Sequence, residues 1–393
     1  MPIECGSEKS EYRMKGVRML VNIFHPLPVG GAERQAERLA AYLASRNIPV
    51  GIITRRVGEL PVYEKMGGFE VFRIREFGSA RIRSMTFIMG AIFNLILHSD
   101  SFDILHAHLA FAPAMAACVA GRLLNKAVII KLGNSGDFGD IKELMSTWRG
   151  RQMLFILSHW ADAYIALTDE MEKEMHIVGF ESSKIIRMVN GVDTNLFCPS
   201  EHKQTAKDAI GMAGKTIVLF TGRFTSQKSL PMLIMAFEHV VRSLNHVHLF
   251  LVGNGDTQKT LEGMVTDLGI PSHVTITQGG SNVQPYLNVA DIFVLPSLGE
   301  GISNSLLEAM ASGLACVATN VGGSAEVLAG GACGVLVSPN NVEQLADAII
   351  HLVSNPNEMK RLGMLARHRV VDHYSLDAVG EQYIELYSRL AKG

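Results

Sequence analysis

Runs of consecutive apolar residues recur along the chain, spaced too widely for hairpins. The first, Val17 to Phe24 (VRMLVNIF), stops at Pro26, Pro28 and the pair Gly30-Gly31. A helical pattern follows through Ala32, Ala36, Leu39, Ala40 and Leu43. Further strand-like runs lie at 50–54, 69–74, 103–106, 127–131, 163–167 and 185–189, and most gaps between them are long enough for a crossover helix. Runs that are apolar throughout and alternate with helices predict a parallel sheet covered on both faces. The pattern breaks at Asn190-Gly191-Val192-Asp193 and resumes at Thr216–Thr221, with a helix over 231–241 and strands at 247–252, 273–276, 291–295 and 315–318. Helical segments at 341–353, 357–372 and 376–391 close the chain. The expected architecture is α/β, two doubly wound halves joined at about 191–213. Such sheets bind ligands at the carboxyl ends of their strands, so two facing halves create a cleft there.

Composition narrows the classes of function. In 393 residues, 36 Lys+Arg stand against 38 Asp+Glu, a net charge of −2 that excludes a strongly basic nucleic-acid binder. With 19% charged and 48% hydrophobic residues the chain is not disordered. Cys5, Cys118, Cys198, Cys316 and Cys333 are far apart and odd in number, which fits a reducing compartment. The longest apolar run, Met85–Leu97, is too short to span a bilayer. Residues 1–16 carry Glu4, Glu8, Lys9, Glu11 and Arg13 without an apolar core; they read as a flexible tail rather than a signal peptide, and the expected location is cytoplasmic.

The loops after strands carry the candidate chemistry. Gly30 and Gly31 let backbone amides approach a ligand at a helix start that favours an anion, and are equally the pattern of a tight turn. After the first strand of the second half, Thr221-Gly222-Arg223-Phe224-Thr225-Ser226-Gln227-Lys228 brings out two cations. Arg223 as a planar fork and Lys228 as a point charge suit a diphosphate, though solvated surface charges read the same way. In Asp291–Gly313 a strand ends at Pro296, a Gly-flanked loop carries Glu300, and a helix begins near Ser303 with Glu308 inside it. The first-turn amides of Ser303, Asn304 and Ser305 are donors for phosphate, and the two carboxylates suit sugar or ribose hydroxyls. Glu308 is otherwise an exposed helix residue. His106 and His108 share a strand face without an evident third metal ligand; one of them reads as structural, and His246 and His248 read as packing.

Glu300 and Glu308 with seven residues between them, then Ala-Met-Ala-Ser-Gly and Gly322-Gly323-Ser-Ala-Glu326-Val327, resemble the signature of the retaining family 4 glycosyltransferases with the GT-B fold. The resemblance spans nearly the whole chain, including Gly30-Gly31-Ala-Glu, Asn190-Gly191-Val192-Asp193, Gly222-Arg223 with Lys228, and Leu251-Val-Gly-Asn-Gly255. It implies two Rossmann-like domains, an acceptor-binding one at 17–195 and a nucleotide-sugar-binding one at 196–375, with 376–393 as a helix packing back on the first. It further implies that Arg223 and Lys228 contact the donor diphosphate, Glu308 the ribose and Glu300 the transferred sugar. Gly30 and Gly31 would close on the phosphates, and His108 matches the family's active-site histidine. The sequence departs from the family pattern at Ile302-Ser303, at Ala315 for a common Pro, and at Ser229 for a common Gly.

The implied activity is transfer of a sugar from a nucleotide diphosphate to a glycan or lipid-linked acceptor, in cell-surface polysaccharide or glycoconjugate synthesis. No cofactor is expected. The chain has no Asp-x-Asp, so protein cations rather than a metal are expected to hold the diphosphate. Arg73, Arg75, Arg81 and Arg83 ahead of Met85–Leu97 suggest either peripheral docking on anionic lipid or an ordinary core helix beside solvated arginines. Two rivals remain. A dehydrogenase is disfavoured because Gln258 stands where the dinucleotide fingerprint wants Gly or Ala after Gly253 and Gly255. A silent nucleotide-sugar-binding subunit would fit better had Arg223, Lys228 or Glu308 been lost.

Overall fold

The computed structural model describes residues 14–26, 30–278 and 282–391, apart from the side chains of Ala80 and Arg81. The first half builds an eight-stranded sheet from β1 (Val17–Leu20), β2 (Val50–Arg55), β3 (Tyr63–Met66), β4 (Phe69–Ile74), β5 (Ile104–His108), β6 (Ala127–Lys131), β7 (Ala163–Ala166) and β8 (Ile185–Arg187). Its order is β3-β4-β2-β1-β5-β6-β7-β8, parallel except for the antiparallel edge strand β3. The second half builds a parallel six-stranded sheet, β9 (Thr216–Thr221), β10 (Val247–Val252), β11 (Val274–Thr277), β12 (Ile292–Leu295), β13 (Ala315–Thr319) and β14 (Val335–Val337), in the order β11-β10-β9-β12-β13-β14. In both sheets the order reverses beside the first strand, opening a crevice at the carboxyl edge.

The central strands are buried on both faces, which is why they read as mainly apolar runs, broken only by the buried Arg18, His106, His108 and His248. The run beginning at Val17 is strand only to Leu20; Val21 and Phe24 stay buried while the chain turns off toward helix α1 (Gly31–Ser45). The expected tail is too long at its inner end. Residues 1–13 lie outside the described residues, but Met14 enters the core and the Lys15 amide donates to Asp103 (2.8 Å).

The chain crosses between the halves twice, side by side. Val192 N–H donates to the Tyr374 carbonyl (2.9 Å) and Leu376 N–H to the Val192 carbonyl (2.8 Å), forming a parallel bridge. The second crossing delivers the helix Leu376–Ala391 onto the first half, where Tyr383, Ile384 and Tyr387 join the core formed by α1 with β1, β2 and β5.

Helices α2 (Ala80–Leu97) and α3 (Ala112–Leu124) cover the opposite face. Phe87, Ala91 and Leu95 of α2 are buried, yet Ile82, Met85, Met89, Phe93, Ile96 and Leu97 face solvent. The helix is therefore apolar on both sides, and the solvent-facing residues recur every three to four positions as a stripe. The arginine cluster expected beside it is smaller than the sequence suggests. Arg73 is 1% exposed, held by Glu64 of β3 and by the carbonyls of His25 and Pro61, while Arg75 and Arg83 are exposed.

Candidate active site

Strand β9 delivers Thr221-Gly222-Arg223 to the cleft, and buried Phe224 pins the loop. The neighbouring loop after β10 packs backbone to backbone against it: a Cβ at Gly253 would lie 1.8 Å from the Gly222 carbonyl. Phe224 N–H also donates to Asn254 O (2.8 Å). Arg223 emerges exposed, its guanidinium without a hydrogen bond or ion pair among the described residues. A short turn, Ser226–Lys228, then presents Lys228. Ser229 follows at φ 46°, a left-handed conformation that explains why glycine is common there.

Lys228 forms an ion pair with Glu300 from the loop after β12, and Ser297 Oγ donates to the same carboxylate oxygen (2.5 Å). The two predicted site charges thus meet each other, both largely buried. The Glu300 loop is clamped from below by the Gly322 turn, whose Cβ position lies 1.7 Å from the Glu300 carbonyl. Ser303 caps the following helix, Asn304–Ala311, by accepting from Leu306 N–H (3.4 Å), and its hydroxyl meets that of Ser305 (3.1 Å).

Across the cleft, α1 begins at Gly30-Gly31. The Glu33 carboxylate folds back over this helix start, one oxygen lying 2.7 Å from where a Cβ on Gly30 would stand. Burial raises its pKa, an effect that the helix-start amides and the facing Arg223 offset only in part, and the carboxyl group occupies the space over the helix start where an anion would sit. Farther along α1, Arg38 pairs with Glu308, which is only 1% exposed. Asn304 is also committed across the cleft: its amide donates to Gly31 O (3.0 Å), and its oxygen accepts from Gln35 (2.8 Å) and Asn190 (3.2 Å).

His106 and His108 sit at the carboxyl end of β5. His106 Nδ1 bonds the Tyr387 hydroxyl (2.7 Å), a structural tie to the C-terminal helix. His108 is buried with neither ring nitrogen hydrogen-bonded, and burial holds its pKa well below the usual imidazole range. His248 packs in the second sheet against Thr275 (2.8 Å) and burial pushes it down to about 4. Among the described residues no three His, Cys, Asp or Glu side chains converge as metal ligands.

The sequence profile of the glycosyl transferases group 1 matches residues 165–369, and that of glycosyltransferase family 4 matches residues 29–196. The chain belongs to the group 1 glycosyltransferases. It is 24% identical over 389 residues to the 2-deoxystreptamine N-acetyl-D-glucosaminyltransferase of Niallia circulans, covering 92% of this chain and 98% of that one. It is 22% identical over 402 residues to the UDP-Gal:alpha-D-GlcNAc-diphosphoundecaprenol alpha-1,3-galactosyltransferase of Escherichia coli, covering 95% and 99%. The structure of Anabaena HepE in complex with UDP-glucose superposes with a TM-score of 0.81 at 18% identity, covering 96% of this chain and all of that one. The fold is GT-B.

In this glycosyltransferase the cleft is closed, and sequence reasoning missed the residues that close it. Gln35 bonds both Gly191 O (2.9 Å) and Asn304; Arg38 holds Glu308; Asn134 accepts from Gly301 N–H (3.2 Å). Glu326 accepts from Asp169 N–H (2.8 Å) and pairs with Arg187 (2.6 Å). Arg38 and Gln35 looked like ordinary polar positions of an amphipathic helix. Their only signal is that α1 follows a glycine pair at the sheet's carboxyl edge.

Proposed function

We propose that this glycosyltransferase moves a sugar, with retention and without a metal ion, from a nucleotide-diphosphate sugar to a glycan or lipid-linked acceptor. The setting is cell-surface polysaccharide or glycoconjugate synthesis at the cytoplasmic face of the membrane. The observation that carries this reading is the Lys228–Glu300 pair beside exposed Arg223. Two cations at the carboxyl edge suit a diphosphate leaving group, and a carboxylate on the same loop system suits the hydroxyls of the sugar attached to it.

Retention by double displacement needs a carboxylate nucleophile on the sugar's far face. Glu300 and Glu308 are both committed to cations, so same-face attack is the better account. The bond from the anomeric carbon to the phosphate oxygen breaks and the acceptor oxygen bonds to that carbon from the same side. The acceptor proton passes to the departing phosphate oxygen. Arg223 and Lys228 neutralise the charge that grows there. His108, neutral through burial, lies at the acceptor side and offers one N–H donor and one acceptor to sugar hydroxyls. For Glu308 to hold the ribose, Arg38 must yield its place or share it, so donor binding is coupled to cleft opening.

The test is nucleotide release from a panel of UDP-, GDP- and ADP-sugars with and without a chelator. One donor should be turned over, with most activity surviving chelation. Binding without turnover of any donor would favour a silent subunit; full loss with chelator, restored by one cation, would overturn metal independence.

The acceptor side is proposed to rest on an anionic bilayer. No described helix is long and apolar enough to cross a membrane. The exposed stripe of α2, with Phe77, Arg75 and Arg83 beside it, suits shallow insertion, each arginine adding about 1 kcal/mol at the surface. Trp148 and Phe155, with Arg149 and Arg151, extend the same chemistry on a helix packed against α3. Flotation should show binding to vesicles containing anionic lipid, abolished by Met85→Glu with Met89→Glu while the melting temperature holds. Equal, weak binding to neutral and anionic vesicles would refute the docking.

A further inference from the structure

Lys131 is the last residue of β6, paired in register with His108, the last residue of β5. It is 5% exposed, and among the described residues no carboxylate pairs with it. Its ammonium lies over the Tyr383 ring (5.6 Å from the centroid). Burial alone pushes it down to about 7. Around it, His106 Nε2, both nitrogens of His108 and the Tyr383 hydroxyl are buried without a protein partner.

A buried cation without a counter-charge destabilises a fold, and an apolar residue of similar length would pack there at lower cost. A ring of unpartnered polar atoms beside it compounds that cost. An arriving anion would offset that cost and hold the ammonium in its charged form. Gly133, two residues on, packs its carbonyl against Gly301, next to Glu300, so the strand end that carries Lys131 meets the second half of the molecule.

We infer that Lys131 and His108 form a subsite for an anionic group, a carboxylate or phosphate, carried by the acceptor beside its attacking hydroxyl. The inference rests on the reading that the first domain binds the acceptor. Arg223 and Lys228 serve the donor's charge from the opposite domain, leaving Lys131 for a second anion. Its ammonium donates to the anion while His108 supplies a neutral hydrogen bond, which orients the acceptor.

The probes are glucuronate against glucose and glycerol 3-phosphate against glycerol, titrated calorimetrically into wild type and Lys131→Met, with and without UDP. In wild type the anionic member of at least one pair should bind, and its neutral counterpart should not. Lys131→Met should weaken that binding about 10- to 100-fold, keep UDP affinity unchanged and raise the melting temperature; Lys131→Arg should retain part of the anion binding. Anion binding that survives Lys131→Met, or that never exceeds the neutral probe, would overturn the subsite. If Lys131→Met weakens UDP-glucuronic acid but not free glucuronate, the charge belongs to the donor sugar and the acceptor assignment falls. UDP failing to bind either protein, with the Lys131-dependent anion effect intact, would refute the donor reading and leave this one standing.

Discussion

Arg223→Ala is expected to lower kcat about 100- to 1,000-fold while leaving the melting temperature where it is. The residue is exposed and its loop is held by Phe224 and by the backbone contacts of Gly253, so nothing in the fold leans on the guanidinium. In the proposed mechanism its contact is to a group whose negative charge grows during the reaction, and contacts of that kind act on turnover more than on binding. Arg223→Lys should restore activity only in part, because an ammonium cannot reproduce the fork. Lys228→Ala should cost a similar factor in kcat and, in addition, up to about 3 kcal/mol of stability, since Glu300 is left buried and unpaired. Adding Glu300→Gln should recover much of that stability and none of the turnover. Glu308→Ala should raise KM for the donor more than it lowers kcat, because a ribose contact changes little along the reaction. Near-normal turnover in folded Arg223→Ala and Lys228→Ala proteins would refute the assignment of both cations.

Gly322→Ala is expected to cost about 3 kcal/mol and at least about 100-fold in kcat, although residue 322 need touch no substrate. Gly322 has φ +49°, strained for any residue with a Cβ, and that Cβ would stand 1.7 Å from the Glu300 carbonyl oxygen. The obstacle is backbone, so the whole Glu300 loop must move. A displacement near 1 Å is enough to spoil a positioned carboxylate. Gly263→Ala is the control: nothing lies within 4 Å of its Cβ position in the helix Gln258–Asp267, and a gain of about 0.5–1 kcal/mol is expected. Thermal melts and steady-state rates on the two variants separate the outcomes, and an active, undiminished Gly322→Ala would refute the clamp.

The fold was largely legible because buried parallel strands are mainly apolar, and twelve of the fourteen strands among the described residues fall on such runs. The two that escaped have physical reasons. β3 is an antiparallel edge strand whose residues are exposed or half-buried, and β14 is three residues long. The charged residues of the candidate site stand where the sequence places them relative to the strands, but their partners were not legible. Lys228 meets Glu300 across 72 residues and Arg38 meets Glu308 across 270, separations that carry no local periodicity. Arg73 misled for a related reason. Its place among arginines suggested a surface, whereas β3 and two backbone carbonyls bury it.

The return of the chain's last helix to the first half bears on how the protein is made. His106 and Tyr387, joined by a hydrogen bond, are separated by 281 residues. Synthesis runs from the amino end, and domains generally fold as units while they emerge. The second half is contiguous from β9 to β14 and the helices that follow, so it can close its core as soon as it leaves the ribosome. The first half, although made earlier, must wait for Tyr383 and Tyr387 on the final 16-residue helix. The half that emerges first is therefore sealed only after the second half has been made.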